Sequence, residues 1–497
     1  MLRALSAGVV LLVLVLIVML VRLSAADNSV AVSPATAATI ASSEQAFDPD
    51  PAVLANMATR LARGIRVATI SHRPAAPADE AAIAQLHEVL RSSFPAVFAS
   101  LKVESFPGGS LLLTWASSDP SLSPIMLTAH QDVVPVSPGT EDAWSYPPFS
   151  GAIEQGFVWG RGAIDDKASM FGILEAVDHL LSKGFKPRRG VILAFGHDEE
   201  VGGSGAAAMG RALQAKGVKL DYLLDEGGMV TEQIVGGVKP PAAMVGVTEK
   251  GYVSVELSAE GAGGHSSMPG VTTNIGRLAR AIHRIEEHPE PYQITRTLEA
   301  SLKALAPGMS FGSQLAIANL WAFSPLVSRT MASTNSGRAS LHTTRAATMF
   351  HAGIKDNVLP GRATATVNLR LIAGDSVARA VDRLVAVIDD PAVKVTPNLE
   401  VTREPAPESD PEAPSFKRLA DSIRMVFPDA LVAPYATVGA TDSVAYKHLT
   451  DNVYRFLPIR WRPEDQGRFH GTNERIAVTA YGEAVRFYIQ LIKSTSM

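Results

Sequence analysis

His130 and Asp132 stand two residues apart at the end of an apolar run, and an imidazole with a carboxylate that close is suited to holding a metal ion while the acid fixes the ring's tautomer. Asp165 and Asp166 are adjacent, and neighbouring carboxylates repel unless a cation or a donor-rich turn holds them. Three further acids, Asp198, Glu199 and Glu200, follow His197 and precede Gly202-Gly203. Asp225-Glu226-Gly227-Gly228 repeats the pattern, and His470 stands isolated between Phe469 and Gly471. Each could be a solvated turn on its own; together they supply carboxylate and imidazole from five separate places. The chain has no cysteine, so any metal must be held by His, Asp and Glu. Such a donor set could hold divalent metal ions. One of Glu199 and Glu200 can bind metal while the other acts as base, and spacing alone leaves open which is which.

Elements that could position these groups are visible in the surrounding pattern. Over residues 52–244 short apolar runs, among them 124–129 and 191–195, alternate with amphipathic stretches, the rhythm of an α/β sheet. Met170, Ile173, Leu174, Val177, Leu180 and Leu181 recur at helical spacing and predict a helix over 168–183. Sites in such sheets gather at the carboxyl ends of strands. Here three consecutive strand ends, at His130, at 197–200 and at Asp225, deliver acids or imidazoles. From 247 to about 400 the period changes to two, as in 252–257 and 363–370, with helices expected over 274–287 and 376–388. That predicts a smaller α+β unit inserted into the larger one, to which the chain returns after Pro405-Ala406-Pro407. The expected division is 1–27 signal or anchor, 28–51 linker, 52–246 and 403–497 catalytic domain, and 247–402 inserted domain.

In five motifs occurring in order, His130-x-Asp132, Asp165-Asp166, Glu199-Glu200, Asp225 and His470, the body of the chain resembles the dizinc aminoacylase and carboxypeptidase superfamily. The resemblance implies an α/β fold: a zinc-peptidase-like three-layer catalytic domain carrying a smaller, ferredoxin-like α+β lid or dimerisation domain. It implies two zinc ions bridged by Asp165, with His130 and Asp225 completing one site and Glu200 and His470 the other, although His and carboxylate shells also accept cobalt or manganese. Asp132 then orients His130, and Glu199 is the base. Gly263-Gly264-His265-Ser266 resembles a loop that enters the partner's active site in dimeric relatives, where His265 would reach the developing oxyanion, so a homodimer is expected if His265 acts across an interface. Asn357 and Arg370 resemble positions that bind the substrate's carbonyl and terminal carboxylate, for which a guanidinium fork is well shaped. Gly439 begins a loop resembling the family's Gly-rich segment, with Ala440 in place of the commoner second glycine. The long segment 291–348, with its aromatic run at 319–328, resembles the carboxypeptidase S branch and its secreted relatives acting on N-fatty-acyl amino acids.

The implied activity is therefore hydrolysis of an amide bond beside a free carboxylate, reversible in principle. A small-substrate deacetylase or desuccinylase, and a catalytically inactive binding protein on the same fold, are the alternatives. No ligand or base of the inactive reading's kind is lost. Composition narrows the partners: 46% hydrophobic and 19% charged residues describe a chain able to bury a large core, and 45 basic against 49 acidic residues without a Lys/Arg block disfavour nucleic acid. Residues 4–21 form an apolar run bounded by Arg3 and Arg22, followed by Ser24-Ala25-Ala26. This predicts a membrane anchor with the body on the extracytoplasmic side, or an exported protein if the segment is cleaved.

Overall fold

The large sheet begins with runs such as Leu111–Trp115, Ile125–His130 and Val191–Gly196, which are apolar at nearly every position rather than at alternate ones. A strand of that kind must be covered on both faces. It is: Leu111, Leu113, Leu127, Leu193 and Phe195 face one core, while Leu112, Met126, Ile192 and Ala194 face the other. The first core is closed by the helices Pro51–Ile65, Lys167–Ser182, Pro414–Val426 and Val478–Thr495, the second by Ser204–Ala215. The result is a three-layer α/β body around a ten-stranded mixed sheet. The computed structural model describes residues 17–24, 47–73, 77–400 and 402–495.

In this sheet Val191–Gly196, Ile125–His130, Leu223–Asp225 and Val453–Arg455 lie side by side and parallel, so their carboxyl ends share one edge. The chain leaves the large sheet at Glu249 and enters a second one at Gly251. That second sheet is antiparallel, in the order Thr344–Ala352, Arg362–Leu371, Gly251–Glu260, Val393–Pro397. Its central strand Arg362–Leu371 alternates buried and half-exposed residues, and Val253, Val255, Leu257, Val367 and Leu369 form one core with the helices Asn274–Glu287 and Val377–Ile388.

Part of the range expected to form this small unit does something else. The helix Arg296–Leu305 packs on the strands Leu431–Thr437 and Ala242–Glu249 of the large sheet, where Leu305 joins Val238, Ala242, Met244 and Ala433. An amphipathic pattern shows that a helix has an apolar face, and says nothing of which sheet will cover it. Residues 1–16, which carry most of the expected membrane segment, and the linker over 28–46 lie outside the described residues. Residues 17–24 are helical, and among the described residues no helix is long and apolar enough to cross a membrane.

Candidate metal centre

His130 ends its strand fully buried, with Nδ1 donating to the Asp132 carbonyl at 3.0 Å and lying 3.3 Å from the Asp132 carboxylate. Its other nitrogen, Nε2, is thereby turned to Asp165 Oδ1 at 2.9 Å. Asp132 has a second task. Its Oδ1 accepts from the Glu199 amide and its Oδ2 from the Glu200 amide, both at 3.1 Å, so one carboxylate sets both the imidazole and the turn Glu199–Val201 that follows the Val191–Gly196 strand. Burial acts to raise Asp132, and the hydrogen bond and charge of His130, with Ser71 and the Glu200 amide, together outweigh it and hold the carboxyl below its ordinary range.

Asp165 stands just ahead of the helix Lys167–Ser182 and is shared between two imidazoles: His130 Nε2 on Oδ1, and His470 Nε2 on Oδ2 at 2.7 Å. Against the burial that would raise it, these contacts hold Asp165 far below the usual carboxylate range. Around it lie two sets of donor atoms, each mutually within 4.8 Å: His130, Asp165 and Glu226, and Asp165, Glu200 and His470. Glu226 Oε1 is 3.7 Å from His130 Nε2, and Glu200 Oε1 is 3.2 Å from His470 Nε2. That buried Glu200 oxygen has no hydrogen-bond donor, so lone pairs of carboxylate and imidazole converge on one point, an arrangement a cation resolves. The neighbouring carboxylates, Asp165 first and then Glu200, push His470 up to about 10, a measure of how strongly the set favours positive charge. The residues present therefore fit two divalent cations sharing Asp165.

Four of the five expected ligands, His130, Asp165, Glu200 and His470, come together. Asp225 does not join them. Its Oδ1 accepts from the Glu226 amide at 3.0 Å, and the longer Glu226 side chain takes the place beside His130. Asp225 ends the strand Leu223–Asp225 and Glu226 follows it, where the pleat stops and parity no longer tells which residue faces His130. The only signal in the sequence is that the neighbour of Asp225 is also a carboxylate. Glu199 lies half-buried beside the cluster, its carboxyl pushed well up by burial and by the charges of Asp442, Glu200 and Asp165.

The remaining candidates sit away from this cluster. His265 is exposed, its Nδ1 2.7 Å from Ser267 Oγ, on a short antiparallel pair with Val358–Leu359 that brings Asn357 beside it, the Asn357 carbonyl accepting from Ser266 at 3.2 Å. Arg370 packs its guanidinium 4.6 Å over the Tyr252 ring and donates to the Val438 carbonyl at 3.4 Å, next to Gly439. So His265 with Asn357, and Arg370 with Gly439, form two groups on the small domain and its border.

Three charged groups escaped sequence reasoning. Glu474 is fully buried, pairs with buried Arg161 at 2.6 Å, and accepts from the amides of Ile164 and Asp165 at 2.8 and 3.2 Å; Arg161 in turn donates to the His470 carbonyl at 3.0 Å. One ion pair thus ties the Asp165 turn to the His470 loop. Asp442 is buried against Gly196 and Gly203, where a Cβ would come within 2.2 and 2.4 Å of its carboxylate oxygens.

The profile of peptidase family M20/M25/M40 matches residues 126–494. The probable carboxypeptidase S-like 2 of Dictyostelium discoideum is 39% identical over 444 residues, covering 88% of this chain and 85% of that protein. The N-fatty-acyl-amino acid synthase/hydrolase PM20D1 of Xenopus tropicalis is 40% identical over 435 residues, 87% and 84% of the two chains. Among solved structures, the M20 family metallo-carboxypeptidase Sso-CP2 from Sulfolobus solfataricus superposes with a TM-score of 0.63 at 18% identity, over 88% of this chain and 99% of that one, a likeness of fold. With a metallopeptidase donor set on a matching three-layer fold, and relatives similar over most of both lengths, the chain belongs to peptidase family M20/M25/M40.

Proposed function

We propose that this chain uses a pair of divalent cations, zinc in the first instance, to hydrolyse an amide bond next to a free carboxylate, with N-acyl amino acids, long-chain ones included, and short peptides as substrates. The observation that carries the reading is the single carboxylate of Asp165 placed between two imidazole nitrogens, with Glu226 and Glu200 flanking them. When bound, the cations supply Lewis acidity toward the amide carbonyl and toward water. Glu199 takes the proton of the attacking water on its carboxylate and delivers it to the departing amine nitrogen, so the C–N bond breaks as a C–O bond forms. Asp132 holds the Glu199 amide and His130 in register for this. Arg370 receives the substrate's carboxylate, and His265 with Asn357 steadies the carbonyl, which from their exposed position requires closure of the small domain or a second copy of the chain. The same residues serve condensation of a fatty acid with an amino acid where concentrations favour it. Membrane attachment through the N-terminal segment, with the body outside the cytoplasm, completes the reading.

The test is release of free amino acid from dipeptides and from short- and long-chain N-acyl amino acids, by protein stripped of metal and then reloaded. Zinc-dependent release that Glu199→Gln abolishes while metal stays bound is the expected result. The preferred acyl length separates a fatty-acyl hydrolase from a small-substrate deacylase, and well-folded, metal-loaded protein that hydrolyses none of them refutes the proposal.

A further inference from the structure

No residue of 304–328 carries a charge; the run is bounded by Lys303 and Arg329. It folds back as two helices, Phe311–Ala318 and Leu320–Met331, that pack on one another through a turn at Asn319. One side meets the body: Ile317 joins Leu302 and Ala306 in a small cluster against which Val327 and Met331 pack, while no residue of Leu320–Met331 is fully buried. A water-facing helix ordinarily presents charge on its outer side. This pair instead presents Phe311, Trp321 and Leu326, exposed by 63, 59 and 58%.

A third element meets the pair at its turn. Residues 17–24 form the described end of the apolar N-terminal run, and the buried Asn319 side chain donates to the Met19 carbonyl at 3.2 Å. Leu23 is covered, whereas Ile17, Val18, Leu20 and Val21 are left open. Large apolar surfaces of this kind mark contact with a protein or a membrane, and two features select the bilayer. The apolar segment 4–21 delivers its C-terminal end to the turn between the two helices, so a lipid-inserted segment brings the pair to the membrane surface. The charges that bound the apolar stretches, Lys303, Arg329 and Arg22, are all cationic, which suits phosphate headgroups.

We infer that the 304–328 helical pair and the N-terminal helix together form one face that lies in the headgroup and upper acyl region of a phospholipid bilayer, so that the body rests on the membrane rather than hanging from it on a tether. The inference is independent of the catalytic reading. The test uses the full chain reconstituted into phosphatidylcholine/phosphatidylglycerol vesicles and follows tryptophan emission against lipids brominated on the acyl chain and against aqueous iodide. Trp115, Trp144 and Trp159 are buried and Trp461 is half-buried, so Trp321→Phe isolates the signal of Trp321. Brominated lipid quenches the wild type, iodide does not reach Trp321, and the quench is lost in Trp321→Phe and weakened in Phe311→Ser/Leu326→Ser, with that double variant still in the vesicle pellet. Trp321 open to iodide and untouched by brominated lipid overturns the inference, as does a chain that stays out of the vesicle pellet. Trp321 shielded from both, with cross-linked dimers, assigns the face to a second copy and overturns it too.

Discussion

Glu474 offers the sharpest test of how the centre is held. Its carboxylate neutralises Arg161, closes two backbone amides at Ile164 and Asp165, and is sealed from solvent. Glu474→Gln keeps the volume and one acceptor oxygen but removes the charge, so the buried guanidinium loses its counter-ion and the new NH2 must face either Arg161 or the two amides, donor against donor. Removing one partner of a buried pair costs about 3–5 kcal/mol, and a urea midpoint lowered accordingly is the expected stability result on metal-free protein. Because Asp165 and His470 are anchored through this pair, cation affinity falls as well, by roughly 10–100-fold, the usual scale for groups that support ligands from behind. Chelator competition measures it. Arg161→Met/Glu474→Leu separates the two effects: with both charges gone stability returns toward wild type, while affinity stays low because the amides of Ile164 and Asp165 remain unclamped. A Glu474→Gln protein with wild-type urea midpoint and wild-type affinity refutes the reasoning.

Three other outcomes follow from the same geometry. Glu226→Gln reduces bound metal from two ions to one by elemental analysis while Asp225→Asn retains both; the reverse pattern returns the ligand role to Asp225. Asp132→Ala frees both the His130 ring and the Glu199–Glu200 amides, and activity at saturating metal falls by about 10–100-fold or more, whereas an unchanged rate shows that the turn holds itself. Lys250, donating to the Ala339 and His342 carbonyls, is lowered to about 8 by burial and then by Arg370; the unfolded chain keeps that proton up to about 10.5, so between these values stability rises with pH, by on the order of 3 kcal/mol. Denaturant titrations of wild type and Lys250→Met across that window show the rise in the first and its absence in the second, and parallel curves refute it.

Periodicity was a reliable guide where one face of an element dominates its surroundings. The helix expected over 168–183 is Lys167–Ser182, those over 274–287 and 376–388 are Asn274–Glu287 and Val377–Ile388, and the alternating runs at 252–257 and 363–370 lie within paired strands. The motif positions were legible for a related reason, since strand ends at His130, after Gly196 and at Asp225 do converge on one edge. What stayed hidden depends on side-chain length and on partners remote in sequence. Asp225 and Glu226 are interchangeable until the reach of each carboxylate beyond the strand is known. Arg161 and Glu474 are 313 positions apart, and Arg455 and Glu249, another buried pair, 206 apart, with nothing local in the chain to announce either. Which sheet the Arg296–Leu305 helix covers is likewise a matter of three-dimensional complementarity.

The accounting of charge explains why this edge needs cations from outside the chain. Asp132, Asp165, Asp166, Asp225, Glu226 and Asp442 are all buried there, and burial pushes Asp166, Glu226 and Asp442 well above the carboxylate range. The nearest cation in sequence is Lys167, but its Nζ is turned away, donating to the Gly64 and Val67 carbonyls at 3.1 and 2.7 Å, and burial lowers it to about 7. Arg161 and Arg455, the most deeply buried guanidiniums among the described residues, are committed to Glu474 and Glu249. An arginine placed among the acids would neutralise them permanently and occupy the space a substrate carbonyl must enter. Two divalent ions, held by the residues proposed above, would neutralise the same carboxylates and leave room for substrate, so the exclusion of Lys167, Arg161 and Arg455 from the cluster matters to the proposed chemistry as much as the ligands themselves.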